Sequence, residues 1–548
     1  MSRIFYVVML VGISIGCSIN TVNNGFVYDD VSQVLGNRWI TDVGHIPDIF
    51  LKGSWSFEQG NIDVPQNYYR PFLHLVYMAE YHIFGLNPWG WHLTNVIFHA
   101  GVTVMVFLVA TELLTPHSPL PTPNSQSFLN PAFIAALLFA AHPIHTEVVA
   151  WVGAVPELGF TLFYLLAFYY HIKESSFLPV IFFLIATLFK ETALTLPLLL
   201  FAYDYLIPSH SLSPLPLWER GRVRGRGRAY LSYLITIIIY LALRTYALGG
   251  VAPLRGDVNL DIYEQFINIF PLFAQYLKKL ILPVNLNAYY VFHPIHSVLE
   301  WKSIFGIAVT GAFILSIPLL KRISRPASIN LLLIVIPLLP VFYIRGISSV
   351  AFAERYLYLP STGFAVFVSF WLAKAGEKHL TDKKTVLWKT SIIVIALTAS
   401  YAVMTIKRNA VWRDEYSLWL DTVKKSPEAA TPHYNLGMAF MNKGELAAAE
   451  REYQTAIRVK PDHIKARNNL GGLYLEQGRL TEAIIEFMEA VRLKPDNTES
   501  HYNLGLAYIR SGQPDEAKRE FEAVLKLNHN DVEAAKALEF LNSSSYRR

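Results

Sequence analysis

HYNLGMAFMNKGELAAAEREYQTAIRVKP (433–461), RNNLGGLYLEQGRLTEAIIEFMEAVRLKP (467–495) and HYNLGLAYIRSGQPDEAKREFEAVLKLNH (501–529) are one pattern written three times, 34 residues apart. Gly437, Gly471 and Gly505 each follow Asn-Leu. Phe440, Tyr474 and Tyr508 align, as do Ala449, Ala483 and Ala517, and then Tyr453, Phe487 and Phe521. Pro427, Pro461 and Pro495 mark the boundaries. A fixed period of this length means a helical pair that cannot bury its apolar face alone and stacks on its neighbours. Small Gly and Ala let the two helices approach, the aromatic ring fills the gap, and Pro starts the next unit.

These are the residue types and spacing of the tetratricopeptide (TPR) repeat. His529 stands at the fourth Pro position and Val524 where Ala is expected, so the last unit decays into a cap. WRDEYSLWLDTVKKSP (412–427) reads as a degenerate second helix ahead of the first unit. Asn435, Asn469 and Asn503 recur on one face. Asparagines at this place resemble the ladder in the O-GlcNAc transferase superhelix, which grips an extended peptide; a carboxamide donates and accepts at once. Asn is also common at this position in ordinary TPR repeats.

Upstream the composition changes. The 548-residue chain is 53% hydrophobic and only 16% charged, with mean hydropathy +0.31. A soluble domain carries roughly 25% charged residues, so the balance points to a lipid bilayer. The net charge of +5 is carried in loops between apolar runs and argues for no nucleic-acid partner. One cysteine, Cys17, excludes an internal disulfide framework. Eleven apolar runs qualify as spans: 3–20, 92–113, 129–142, 157–172, 177–189, 192–207, 229–247, 303–320, 328–344, 360–374 and 387–406. The first is an uncleaved anchor rather than a signal peptide, because many spans follow it. Residues 72–86 and 266–282 read as interfacial helices.

The basic loops WERGRVRGRGR (218–228), KRISR (321–325) and KAGEKHLTDKK (374–384) all fall on one side of these eleven spans. The positive-inside rule makes that side cytoplasmic, with the N-terminus. The net acidic loop 21–91 and residues 407–548 then lie outside. The expected organisation is an all-α chain: a membrane domain over 1–406, a lead-in helix over 407–426 and a TPR array over 427–541.

Ionisable residues in or beside spans are costly and mark function by default. They collect on the outer face: Asp29-Asp30 beyond the first span, Tyr68-Tyr69-Arg70, His142, His145 and Glu147, Lys190-Glu191, and Arg345, Glu354 and Arg355. His142, His145 and Glu147 have a spacing that can suit a metal, but Pro143 breaks the helix there, so no metal is assigned.

FVYDDVSQVLGN, YYRPF, FGLNPWGWHLTNVIFHA, LLFAAHPIHTEVVAWVGAVPEL, LFKETALTLPLLL, AERYLYLPS and WRDEYSLW resemble, in order, the transmembrane and TPR repeat-containing O-mannosyltransferase family and its bacterial relatives, of the GT-C superfamily. GAVPEL departs from that pattern, which has a basic residue before the acidic one; this puts a charge role at 154–156 in doubt. The resemblance implies a glycosyltransferase using an undecaprenyl or dolichyl phosphate sugar, such as mannose, outside the cytoplasm. It implies a catalytic base from Asp29-Asp30, the first acid as base and the second orienting it or binding a divalent metal in metal-dependent relatives. Arg70, Lys190, Arg345 and Arg355 are the phosphate candidates; Tyr69, His142, His145, Glu147, Glu191 and Glu354 shape the pocket. Single displacement inverts the anomeric centre, and the TPR array receives an acceptor protein or peptide. The other reading is a non-catalytic TPR scaffold anchored in the membrane. The Arg-rich insertion favours a bacterial inner membrane as the home.

Overall fold

The computed structural model describes residues 2–58, 68–114, 130–207, 220–250, 260–344, 351–377 and 383–542. It forms two compact units, Met1–Asp414 and Glu415–Arg548. Every regular element among the described residues is helical, as an all-α reading requires.

In the first unit the helix Pro88–Leu114 is central, packing on Arg3–Ser18, Pro131–Ala141 and Val155–Ile172. Asn130 caps Pro131–Ala141 through its side chain, with Pro131 at the first helical position. That helix stops at His142, because Pro143 has no N–H to continue it; the chain bends by 49° into Pro143–Ala150. A Cβ on Gly159 would stand 2.5 Å from the Phe189 ring. Only glycine lets Val155–Ile172 and Leu178–Phe189 cross this closely.

All eleven apolar runs are helical, but they are not equal. Among the described residues seven helices are long and apolar enough to cross a membrane, eight with the bent pair. This is fewer than the eleven spans expected. Leu178–Phe189 and Leu196–Leu206 extend only ~18 and ~16 Å at 1.5 Å per residue, short of a hydrocarbon core of ~30 Å. Pro360–Glu377 is the third run outside the count. The stretches read as interfacial form Pro71–Phe84 and Ile262–Ile281, neither of them among the seven.

Contacts nevertheless define two ends of the unit. At one end Lys173 pairs with Glu112 at 2.7 Å, His171 meets Asp204 at 3.3 Å, and Lys321 lies 4.6 Å over Tyr205. At the other end Asn409 reaches the Cys17 carbonyl at 3.0 Å and Tyr240 packs 6.0 Å from Tyr69. The polar stretches singled out in the sequence gather at this second end.

The second unit is a helical ladder. Glu415–Lys425 leads, followed by the pairs Ala430–Asn442 with Leu446–Val459, Ile464–Glu476 with Leu480–Leu493, and Thr498–Arg510 with Pro514–Leu527. A Cβ on Gly437, Gly471 or Gly505 would come within 2.6–2.8 Å of Tyr453, Phe487 or Phe521. Ala449, Ala483 and Ala517 are fully buried against the same rings. Val532–Asn542 closes the array over Phe521 and Val524 through Ala534 and Leu541. Asn435, Asn469 and Asn503 are partly exposed on the first helix of each pair. The Asn469 amide donates to the Tyr434 and Tyr453 hydroxyls at 3.5 Å each.

Each pair carries one cross-helix ion pair, again 34 residues apart. His433 meets Glu452 at 2.6 Å, Arg467 meets Glu486 at 2.7 Å and His501 meets Glu520 at 2.6 Å. The second nitrogens of His433 and His501 face the Pro427 and Pro495 carbonyls at 3.0 Å. With an acceptor on both sides, each imidazole is favoured as the double donor, the cationic form.

Candidate active site

The first extramembrane loop is tied to the end of the last apolar helix before it reaches its acids. The Asn24 amide donates to the Asn409 carbonyl at 3.3 Å, and Gly25 N–H to the Arg413 carbonyl at 2.8 Å. Tyr28 then adopts φ +60°, a left-handed conformation that costs a non-glycine residue energy and is kept where the surroundings over-determine it. Burial and the adjacent Asp29 charge push its phenol well above the ordinary range.

The two acids differ. Asp30 is fully buried and accepts Val27 N–H at 3.1 Å and Gly153 N–H at 2.7 Å. It clamps the loop onto the turn Val152–Ala154. Asp29 is half-buried and precedes the clamp.

Beside them three cations and three carboxylates form a chain. Arg355 donates to Glu147 from its guanidinium at 2.5 Å and from its own backbone N–H at 2.9 Å. Its Nε lies 3.9 Å from Glu157, which pairs with Lys190 at 2.7 Å. Arg70 holds Glu191 with two nitrogens, at 2.8 and 3.3 Å, and stacks 4.4 Å over Tyr68. Lys190 and Arg355 flank the Tyr356 ring at 5.0 and 5.2 Å. Burial raises the Glu191 carboxyl, but the Arg70 charge and its hydrogen bonds outweigh this and hold it down at about 2. Burial, reinforced by Arg70, lowers the Lys190 ammonium. Lys190 therefore sits dry between the partly buried Arg70 and Arg355 side chains, where a phosphate can take over their counter-charge.

Of the residues chosen from the sequence, Asp29, Asp30, Arg70, Lys190, Arg355, Glu147 and Glu191 come together here. Tyr69, His142, His145 and Glu354 do not join this chain. Tyr69 is buried, its hydroxyl bound to the Phe50 carbonyl at 2.9 Å. His142 faces the Leu280 carbonyl at 3.2 Å, and His145 the Ser361 hydroxyl at 2.8 Å, both buried in packing. Glu354 turns away to Asn287 N–H, the Tyr290 hydroxyl and Arg408. Arg345 lies outside the described residues. Among the described residues no three His, Cys, Asp or Glu side chains converge as metal ligands.

Glu157 is the member that sequence reasoning missed. It stands in GAVPEL, where attention fell on the positions before it. A lone acid in the first turn of an apolar helix was the available signal.

The fold and this buried charge chain define a helical, multi-pass membrane protein with a TPR array. Tetratricopeptide models match residues 423–498 and 474–539. The chain is 28% identical over 497 residues to protein O-mannosyl-transferase TMTC3 of Mus musculus, covering 84% of this chain and 52% of that one. It is 25% identical to Tmtc3 of Drosophila melanogaster (82% of this chain, 54% of that one) and 25% to TMTC4 of Homo sapiens (82% and 66%). The resemblance to the transmembrane and TPR repeat-containing O-mannosyltransferase family is thereby borne out. The chain spans about half the length of the first curated relatives it matches. Among solved structures, the first TPR of Spaghetti (RPAP3) bound to an HSP90 peptide is 23% identical over 21% of this chain and 90% of that one, with a TM-score of 0.20.

Proposed function

We propose that this chain is an inverting membrane glycosyltransferase of the GT-C type. It moves a hexose, mannose by the names of its relatives, from a polyprenyl phosphate to a hydroxyl of a protein. The observation that carries this reading is the close-set chain of Arg70, Lys190 and Arg355 beside an acid pair of which one member is clamped.

The acceptor oxygen attacks the anomeric carbon, the carbon–oxygen bond to phosphate breaks, and the hydroxyl proton passes to the Asp29 carboxylate. A β-linked donor gives an α-linked product. Asp30 orients Asp29 through its hold on Gly153, and the cations stabilise the leaving phosphate as its charge grows. The TPR array recruits the acceptor through Asn435, Asn469 and Asn503.

The chemistry faces outward, with the N-terminus cytoplasmic and the array extracytoplasmic, in a bacterial inner membrane. The support is that KRISR lies at the end opposite the acid pair. A pure scaffold accounts for the array, but not for three ion pairs, one fully and two partly buried, assembled from four distant stretches.

The test is transfer of labelled sugar from polyprenyl-phosphate-mannose by the full chain in membranes. Transfer that survives intact in Asp29→Asn removes the assigned base. Protease protection of the C-terminal array in inside-out vesicles supports the orientation; cleavage there reverses it.

A further inference from the structure

Two buried tryptophans border the acid pair. Trp151 and Trp412 stack with ring centroids 6.2 Å apart and planes 24° apart. They are 5% and 1% exposed. Neither indole N–H has a hydrogen-bond partner among the described residues. Buried N–H groups are nearly always paired, and an orphan at a site needs an explanation.

Their position supplies one. The Trp151 Nε1 edge lies over Gly153, 2.8 Å from where a Cβ would stand, and Gly153 N–H is the group that holds Asp30. On its faces Trp151 meets Tyr28 at 5.4 Å and the Arg355 guanidinium at 5.6 Å. Trp412 is one residue before Arg413, whose carbonyl anchors the acid-bearing loop at Gly25. Trp151 thus packs against Tyr28, the neighbour of the proposed base, and against Arg355, one of the proposed phosphate cations, and Trp412 stacks on it.

We propose that Trp151 and Trp412 are the sugar-reading residues of this site, their indole N–H groups donating to hydroxyl oxygens of the transferred hexose. This rests on the glycosyltransferase reading above. Guanidinium and ammonium groups already match the phosphate; flat neutral donors match hydroxyls. A site built to hydrogen-bond a hydroxyl rejects the analogue that lacks it.

The experiment uses the full chain in membranes with the hexosyl polyprenyl phosphate it turns over, each monodeoxy analogue of that donor, and bare polyprenyl phosphate. Phe at either position keeps the ring and deletes the N–H. The unmodified protein is expected to disfavour at least one deoxy analogue by about 10-fold in kcat/KM. Trp151→Phe or Trp412→Phe should collapse that ratio to about 1–2, with affinity for bare polyprenyl phosphate held within about 2-fold. If both variants keep every ratio, or if bare-phosphate affinity falls in step, the proposal is overturned while the parent reading stands. If the unmodified protein transfers no hexose at all, both fall together. Two variants and a binding check separate loss of folding from loss of recognition.

Discussion

The Asp30 carboxylate accepts the Gly153 N–H at 2.7 Å, across 123 residues of chain. That single bond joins the first loop to the turn beneath Trp151, and it separates the duties of two neighbouring acids. Asp30→Asn presents an amide where two backbone N–H groups expect an acceptor, and is expected to cost about 1–3 kcal/mol of stability. Asp29→Asn should leave the melting temperature unchanged and lower transfer by roughly 10²–10⁴. Thermal unfolding and transfer rates on both variants check the division.

Gly153→Ala probes the same joint from the other side. Its Cβ would lie 2.6 Å from the Trp151 indole, so the ring or the turn must move. The expected result is a lower melting temperature, with Trp151 fluorescence shifted.

The Glu157–Lys190 pair is almost fully buried. Glu157→Gln leaves Lys190 without its closest counter-charge and should destabilise by about 3–5 kcal/mol. The double change Glu157→Leu with Lys190→Met is expected to recover most of the stability and none of the transfer. Recovery of transfer as well would make the pair purely structural.

The repeat array should soften as pH rises. His433 and His501 are raised above the ordinary histidine range, His433 against burial by Glu452 and the Pro427 carbonyl with Arg458 opposing, His501 by Glu520 and the Pro495 carbonyl. A raised folded-state pKa means the stabilisation is complete below about 6.5 and lost as pH climbs through the folded value. Protection factors against hydrogen exchange, corrected for the intrinsic rise of exchange with pH, should fall in the first and third helical pairs on going from pH 6 to pH 9. The middle pair carries Arg467 instead and serves as an internal control. His433→Arg with His501→Arg should flatten the response.

If the asparagine face holds acceptor backbone, changing Asn435, Asn469 and Asn503 to Ala should raise the acceptor KM about 10-fold or more and leave kcat alone. An unchanged KM would return these residues to their ordinary role in the repeat.

What was legible in the chain depended on the range of the forces involved. The 34-residue period, the apolar runs and the basic loops follow from local composition, because a helix pair and a span answer to residues near in sequence. Asp29, Arg70, Glu147, Lys190, Glu191 and Arg355 were visible as ionisable groups stranded beside apolar runs. Which carboxylate meets which cation was not visible. Arg70 and Glu191 are 121 residues apart, and Arg355 and Glu147 are 208 apart.

The same limit separates residues of one motif. Tyr68 stacks on Arg70 while Tyr69 points to Phe50; Arg355 enters the charge chain while Glu354 leaves it for Arg408. Neighbours along a loop or a short helix point in different directions, and only packing decides which direction is the site. The sequence alone determined that this is a helical membrane chain ending in stacked helical repeats. The tertiary structure alone decided that Asp30 is a clamp, that Glu157 joins the cations, and that two indole N–H groups stand beside them without a partner. Burial and hydrogen-bond satisfaction are properties of the closed fold, set by contacts that no local stretch contains.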